Sequence, residues 1–289
     1  MNLSKEKPPL GKKKKKKGSL LAAFLAAPHI VWTVLFIVVP LVFVAIYAFT
    51  DREMNFTFAN ILDFFTPEKL YILWRSVKLA LIATAICILI GYPAAYFISK
   101  ANPRTQQLLI MLIMLPMWMN FLIRTYAWQV ILQNKGIINS IVGLVGLGPF
   151  KMINTEGAVI VGMVYDFLPY MILPIYSVMT KLDTRLIEAA SDLGCNGFQV
   201  LMKVIIPHSL PGVFSGITMV FVPSISTFYI SQKLGGGKFF LIGDLIESQY
   251  NANNIHAAAA ISLVLMLIIL ASMAILNKFS DDAEGGIMP

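Results

Sequence analysis

Long apolar runs separated by short polar segments set the pattern of this 289-residue chain. A helix needs roughly 20 predominantly apolar residues to cross a hydrocarbon core. Six runs approach or exceed that length, at 20–49, 77–99, 107–132, 157–179, 212–231 and 256–276. They predict an all-α membrane protein with six transmembrane helices. Pro40, Pro93, Pro116, Pro169, Pro174 and Pro223 lie at depth in these runs. Each would cost about 3 kcal/mol inside a water-soluble helix, but neighbouring helices or waters can satisfy the freed carbonyls in a membrane. Two readings stay open: ordinary kinks, or broken helices lining a pathway.

The pattern changes between residues 180 and 211. Asp183 can cap a helix start, and Leu186, Ala189, Ala190 and Leu193 then recur at i, i+3, i+4 and i+7, giving a short helix with one apolar face that ends at Gly194. Asn196 can cap a second helix over 197–205, stopping before Pro207. Two short helices joined at a glycine predict a docking knob.

Composition agrees with the bilayer: 57% of residues are hydrophobic and 13% charged, against about 25% charged in a typical soluble domain. The net charge of +8 is concentrated in the lysine run 12–17, directly before the first apolar run. That placement fits an anionic leaflet rather than nucleic acid and puts the N-terminus in the cytoplasm. Apolar character continues past Pro28 and His29, so the first run reads as an uncleaved span rather than a signal peptide. Six spans return the C-terminus to the cytoplasm, along with segments 100–106 and 180–211. The expected organisation is a basic cytoplasmic tail 1–19, a first helix 20–49, a permease core 73–277 containing the cytoplasmic segment 180–211, and a cytoplasmic tail 278–289.

Enzyme chemistry finds little support. Cys87 and Cys195 have no metal-ligand spacing. The stretch Gly235-Gly236-Gly237-Lys238 is followed by Phe239, where a phosphate loop needs Ser or Thr, and Gln232 stands where its first glycine belongs. His29, His208 and His256 are scattered, with no acid and nucleophile at recognisable spacing. No cofactor or metal is expected. A membrane channel or a membrane-embedded enzyme is the rival class, and the latter would need a polar catalytic cluster at one interface.

Glu188-Ala189-Ala190, three residues, Gly194, nine residues and Val204-Ile205-Ile206-Pro207 resemble the EAA signature of ABC-importer permeases. The position before the penultimate span is similar to the type I (MetI-like) importer fold. GYPAAYFISK (91–100), LPMWMNFLIRTYAW (115–128) and FYISQKLGGGKFFLIGDLI (228–246) resemble the spermidine/putrescine permeases of the PotB type. The resemblance implies a permease that moves polyamines by alternating access. Its implied partners are a cytoplasmic ABC ATPase dimer, a second homologous permease, an extracytoplasmic polyamine-binding protein and the membrane lipids. By the same resemblance, the ATPase cleft receives the helix carrying Glu188, Ala189, Ala190 and Gly194, ahead of Pro207. A permease for another small solute remains the alternative within the class.

Charges at membrane depth cost about 2.5–3.5 kcal/mol on insertion scales and usually face a bundle interior or a wet cavity. Gly162, Asp166, Tyr170 and Ser177 share a helical face by spacing. A carboxylate with aromatic faces suits ammonium groups joined by methylenes, but pairing of Asp166 with another helix is equally open. Arg124 shares a face with Asn120 and Trp128; it would repel a cation if bare, and either pairs with Asp166 or snorkels outward. Ser224, Thr227 and Ser231 recur at helical spacing beside Tyr229, either bonding neighbouring helices or lining the path. Asp244 and Glu247, one turn apart before the last run, either meet a cation or the binding protein or form a solvated end.

Overall fold

The computed structural model describes the backbone of residues 18–285 and the side chains of 26–279. The lysine run 12–17 and most of the expected tail 1–19 lie outside the described residues. The chain divides into two units, residues 1–46 and 47–289. The first unit is helical from Gly18, with α1 (Gly18–Thr33), a π-helical turn (Val34–Val38) and the start of α2 (Val39–Ala48). The π turn sits just ahead of Pro40, whose ring has no N–H and would strike the carbonyl of Phe36 in a regular α-helix; the wider turn accommodates it.

The second unit begins with a short helix α3 (Ala59–Phe64) and continues into α4 (Pro67–Lys100). Asn102-Pro103 separates α4 from α5 (Pro103–Trp118), because the residue before a proline is pushed out of the helical region. The third apolar run is not one helix, contrary to expectation. Met119 is extended and Asn120 caps α6 (Phe121–Leu132), accepting the Leu122 N–H at 2.8 Å; the axis turns by 91° there. Helix α7 (Ile137–Leu144) follows, then α8 (Glu156–Met179), capped by Thr155 through the Ala158 N–H. Pro93, Pro169 and Pro174 sit inside unbroken helices. Among the described residues, five helices are long and apolar enough to cross a membrane, or six if the bent pair counts as one span.

After α9 (Thr184–Asp192) and α10 (Gly197–Val200), the expected stop before Pro207 does not occur. A second π turn (Leu201–Ile205) absorbs that proline and the chain runs on into α11 (Ile206–Ser226). Both π turns thus end two residues before a proline. The fifth apolar run breaks at Thr227 and Phe228, and α12 (Tyr229–Gly235), α13 (Ile242–Asn251) and α14 (Ile255–Gly285) complete the chain. The last helix therefore extends through most of the expected tail 278–289.

The core centres on α4, α8 and α11. Ala80, Ala83, Thr84, Cys87 and Gly91 are buried along one face of α4, a small-residue seam of the kind that lets membrane helices approach closely. A Cβ at Gly91 would lie 3.0 Å from Met171 Cγ, and one at Gly216 would lie 2.7 Å from Met171 Sδ. Tyr92 and Ser209 bond hydroxyl to hydroxyl at 2.8 Å between α4 and α11. A second cluster of Phe64, Phe221, Ile225, Ile242, Ile261 and Leu265 joins α3, α13 and α14 to α11. There the Ile242 N–H donates to Ser76 Oγ of α4 at 2.8 Å.

Candidate functional site

The middle of α8 carries Asp166 against Arg124 of α6. Arg124 Nη1 lies 2.9 Å from Asp166 Oδ1, and the side chains are 10% and 3% exposed. Neither atom makes a hydrogen bond in this geometry, so charge alone holds the contact. The structure brings Asp166 and Arg124 together. The pair is sealed because α12 packs onto α8 beside it: a Cβ at Gly162 would meet Leu234 Cδ1 at 2.5 Å and Ile230 Cγ2 at 2.8 Å, so only glycine admits α12 here. Trp128 of α6 stands edge-on to Tyr165 of α8, with ring centroids 5.4 Å apart. Asn120, exposed, caps α6 through its Oδ1.

The face expected to run from Gly162 to Ser177 is therefore split. Gly162 and Asp166 are covered, whereas Tyr170 and Ser177 open into a groove of about 820 Å³ between α8 and α11. Phe167, Ser215, Met219 and Pro223 also line it. This wall is mostly apolar and aromatic with a few hydroxyls, suited to a methylene chain rather than to a strongly hydrated ion.

The hydroxyl row expected on the fifth span is corrected by the break after α11. Ser224 is buried and donates to the Val220 carbonyl at 2.6 Å, Thr227 is the extended residue that ends α11, and Ser231 belongs to α12. Tyr229 instead joins residues of α6: its ring lies 5.8 Å from that of Phe121 and 6.2 Å from that of Tyr126. The Lys233 ammonium sits 5.2 Å from the Tyr126 centroid and 5.6 Å from that of Tyr229, an arrangement that holds an ammonium by cation–π attraction. Tyr126 and Lys233 were not singled out from the sequence, although both stand within the stretches that carry the family resemblance. Only the turn after Asn120 and the break after Ser226 bring them together.

Asp244 is 3% exposed, so its carboxylate is not presented at the surface. It accepts hydrogen bonds from Ser231 Oγ at 2.7 Å and Leu241 N at 2.8 Å, binding α12 to the start of α13. Burial pushes its carboxyl up to about 6, against these hydrogen bonds and that of Gln232, with Glu247 adding to the rise. Glu247 accepts a hydrogen bond from Gln232 at the half-buried margin. The glycine run before it forms a turn: Gly236 and Gly237 have φ of +62° and +67°, and Asn154 Oδ1 occupies the space a Cβ on Gly236 would need.

At the opposite end of α8, the short amphipathic helix forms as expected. Asp183 accepts the Arg185 N–H at 2.9 Å, and Gly194 takes φ +84°. Asn196 and Gln199 cap α10 reciprocally, each 2.9 Å from the other's backbone N–H. The apolar face divides, however. Ile187 and Ala190 pack against the core, while Leu186, Ala189 and Leu193 are exposed, Leu193 at 86%; Glu188 is exposed beside them. Pro207 follows the π turn at the base of α11. Among the described residues no cluster of metal-ligating side chains forms.

Residues 87–282 match a family described as binding-protein-dependent transport system inner membrane component. The spermidine/putrescine transport system permease protein PotB of Haemophilus influenzae is 42% identical over 227 residues, covering 76% of this chain and 79% of that protein. Its Escherichia coli namesake is 37% identical over 246 residues, covering 82% and 90%. Among solved structures, a bacterial alginate ABC transporter in complex with an alginate pentasaccharide-bound periplasmic protein aligns with a TM-score of 0.71 at 15% identity, over 91% of this chain and 95% of that one. The MetNI methionine ABC transporter aligns at 0.56 and 16% identity, over 75% and 99%. At these identities the two structures establish the fold, that of type I importer permeases.

Proposed function

Since the chain belongs to the family of binding-protein-dependent transport system inner membrane components, we propose that it is the permease subunit of an ATP-driven importer that carries the polyamines spermidine and putrescine into the cytoplasm. The observation that carries this reading is its identity of 35–42% with spermidine/putrescine permeases over most of their length. The chemistry of the site agrees with it. A polyamine offers ammonium groups separated by methylenes; the Tyr126–Tyr229 rings already hold the ammonium of Lys233, and the groove beside Tyr170 and Ser177 offers apolar wall for methylenes.

In this reading both termini and segment 180–211 are cytoplasmic, as the positively charged ends of the spans require. The exposed Leu186, Ala189 and Leu193 of α9 dock into a cleft of a separate cytoplasmic ATPase dimer, with Gly194 setting the direction of the following chain. A second, homologous permease completes the pathway, and an extracytoplasmic binding protein delivers polyamine to the opposite end, where Glu247 remains near the surface. ATP binding draws the coupling helices together and turns the spans outward-facing; hydrolysis resets them. The Arg124–Asp166 pair locks α6 to α8 and leaves cation binding to the rings. Reconstituted complex should take up labelled spermidine in an ATP-dependent manner, with putrescine competing. A complex that hydrolyses ATP when the binding protein is added but accumulates no polyamine would refute the substrate. An active alkaline-phosphatase fusion at the C-terminus would refute the topology.

A further inference from the structure

Helix α7 is turned inside out for a helix in water. Of its two polar residues, Ser140 is exposed with its hydroxyl turned back to the Gly136 carbonyl at 3.0 Å, and Asn139 is 5% exposed and spends its side chain on backbone: Nδ2 donates to the Gln133 carbonyl at 3.1 Å and the Phe150 carbonyl at 2.9 Å, and Oδ1 accepts the Phe150 N–H at 2.8 Å. These bonds pin the loop 145–150 beside the helix. On the opposite face, Ile137, Ile141 and Leu144 are exposed, Leu144 at 87%, and the apolar surface continues through Val145, Leu147 and Phe150. Exposed Lys135 and Lys151 flank this stretch in sequence. Neither forms an ion pair among the described residues.

We propose that α7 and the loop after it are a membrane-interface anchor, lying in the bilayer surface with Ile137, Ile141 and Leu144 among the acyl chains and Lys135 and Lys151 against phospholipid phosphates. Three observations favour lipid over a protein partner. The helix is the last part of the bent apolar pair that ends at Leu144 in an inner-membrane protein, so bilayer is the medium already adjoining it. Its exposed face is aliphatic apart from Ser140, whose hydroxyl is already bonded to the Gly136 carbonyl. Its flanking charges are both cationic, as for amphipathic segments bound to phospholipid surfaces. The anchor gives the 91° turn a purpose: a span broken at Asn120 has no straight axis to hold it in the bilayer, and α7 supplies a second point of attachment between α6 and the start of α8.

The inference does not depend on the transported solute. Nitroxide labels at Ile141→Cys and Leu144→Cys, in full-length chain with Cys87 and Cys195 replaced by alanine, are compared with a label at Lys135→Cys in phospholipid nanodiscs. The two helix positions should collide with oxygen several-fold more readily, relative to a water-soluble nickel chelate, than the lysine position. Ile137→Cys, on the same face, replaces either helix variant that fails to express. Equal access of the chelate to all three labels would overturn the proposal. So would protection of the helix positions that appears only when a binding protein is added, which would make the patch a protein-docking surface.

Discussion

The middle of α8 and the helix α9 that follows it reverse the usual distribution of polarity. Inside the span, a carboxylate and a guanidinium are sealed together at 3% and 10% exposure; outside it, Leu193 stands 86% exposed. The sealed charges are paired within the chain, without a hydrogen bond at the contact, so they are poorly placed to serve anything else. The exposed leucine has no comparable cover among the described residues, which is what the proposed docking onto an ATPase would supply. The contrast separates a pair enclosed by the chain from a face that it leaves open.

The largest effect should come from the unsatisfied side. Leu193→Glu and Leu186→Glu place charge on the exposed side of α9, so thermal stability should stay within about 1 kcal/mol of the parent. Polyamine uptake and substrate-stimulated ATP hydrolysis should be lost together, and the ATPase should no longer co-purify. Ala190→Glu is a less clean probe, since Ala190 packs against the core. Normal stimulation in both leucine variants would remove α9 from the coupling role.

On the satisfied side, Asp166→Asn leaves Arg124 buried and unpaired and should cost about 3–5 kcal/mol, measured by thermal unfolding in detergent. The double variant Arg124→Met, Asp166→Leu should recover most of that stability and retain measurable uptake. A double variant that is stable but inactive would show that the carboxylate handles the cation, sharpening the comparison in the other direction.

Gly162→Ala forces a methyl into contact with Leu234 and Ile230 and should cost about 1–3 kcal/mol by overpacking, loosening the cover over Asp166. Gly194→Ala, with open space around it but φ +84°, should cost about 1–2 kcal/mol from backbone strain alone. A pH-dependent effect is expected at Asp244. Its carboxyl is raised from 3.8 to about 6, so the folded chain keeps that proton longer than the unfolded one. Stability should fall as pH rises between those values and level off above them. Asp244→Asn should flatten that slope in unfolding curves recorded across the interval.

Local chemistry was legible from the residues alone. Runs of apolar residues announce spans whatever they pack against, because backbone groups in a bilayer must bond within the helix. Asp183, Gly194 and Asn196 act on atoms within three residues, so the caps of α9 and α10 appear where the residues put them. Proline was the less reliable guide. Pro93, Pro169 and Pro174 interrupt nothing, whereas the breaks fall at Met119–Asn120 and Thr227–Phe228, since a membrane helix continues or stops according to what neighbours offer the freed carbonyls.

The sequence by itself determined that this chain is helical, that it spans a membrane and that a capped amphipathic helix projects between its fourth and fifth spans; each rests on interactions within a few residues. Only the tertiary structure decided which charges meet, which half of the face from Gly162 to Ser177 stays open, and that Tyr126, Tyr229 and Lys233 share one site. Those outcomes depend on how α6 and α12 are turned by their breaks and pressed onto α8 at Gly162. That approach joins residues as far apart in sequence as Phe121 and Tyr229, or Tyr126 and Lys233, beyond the reach of any local pattern.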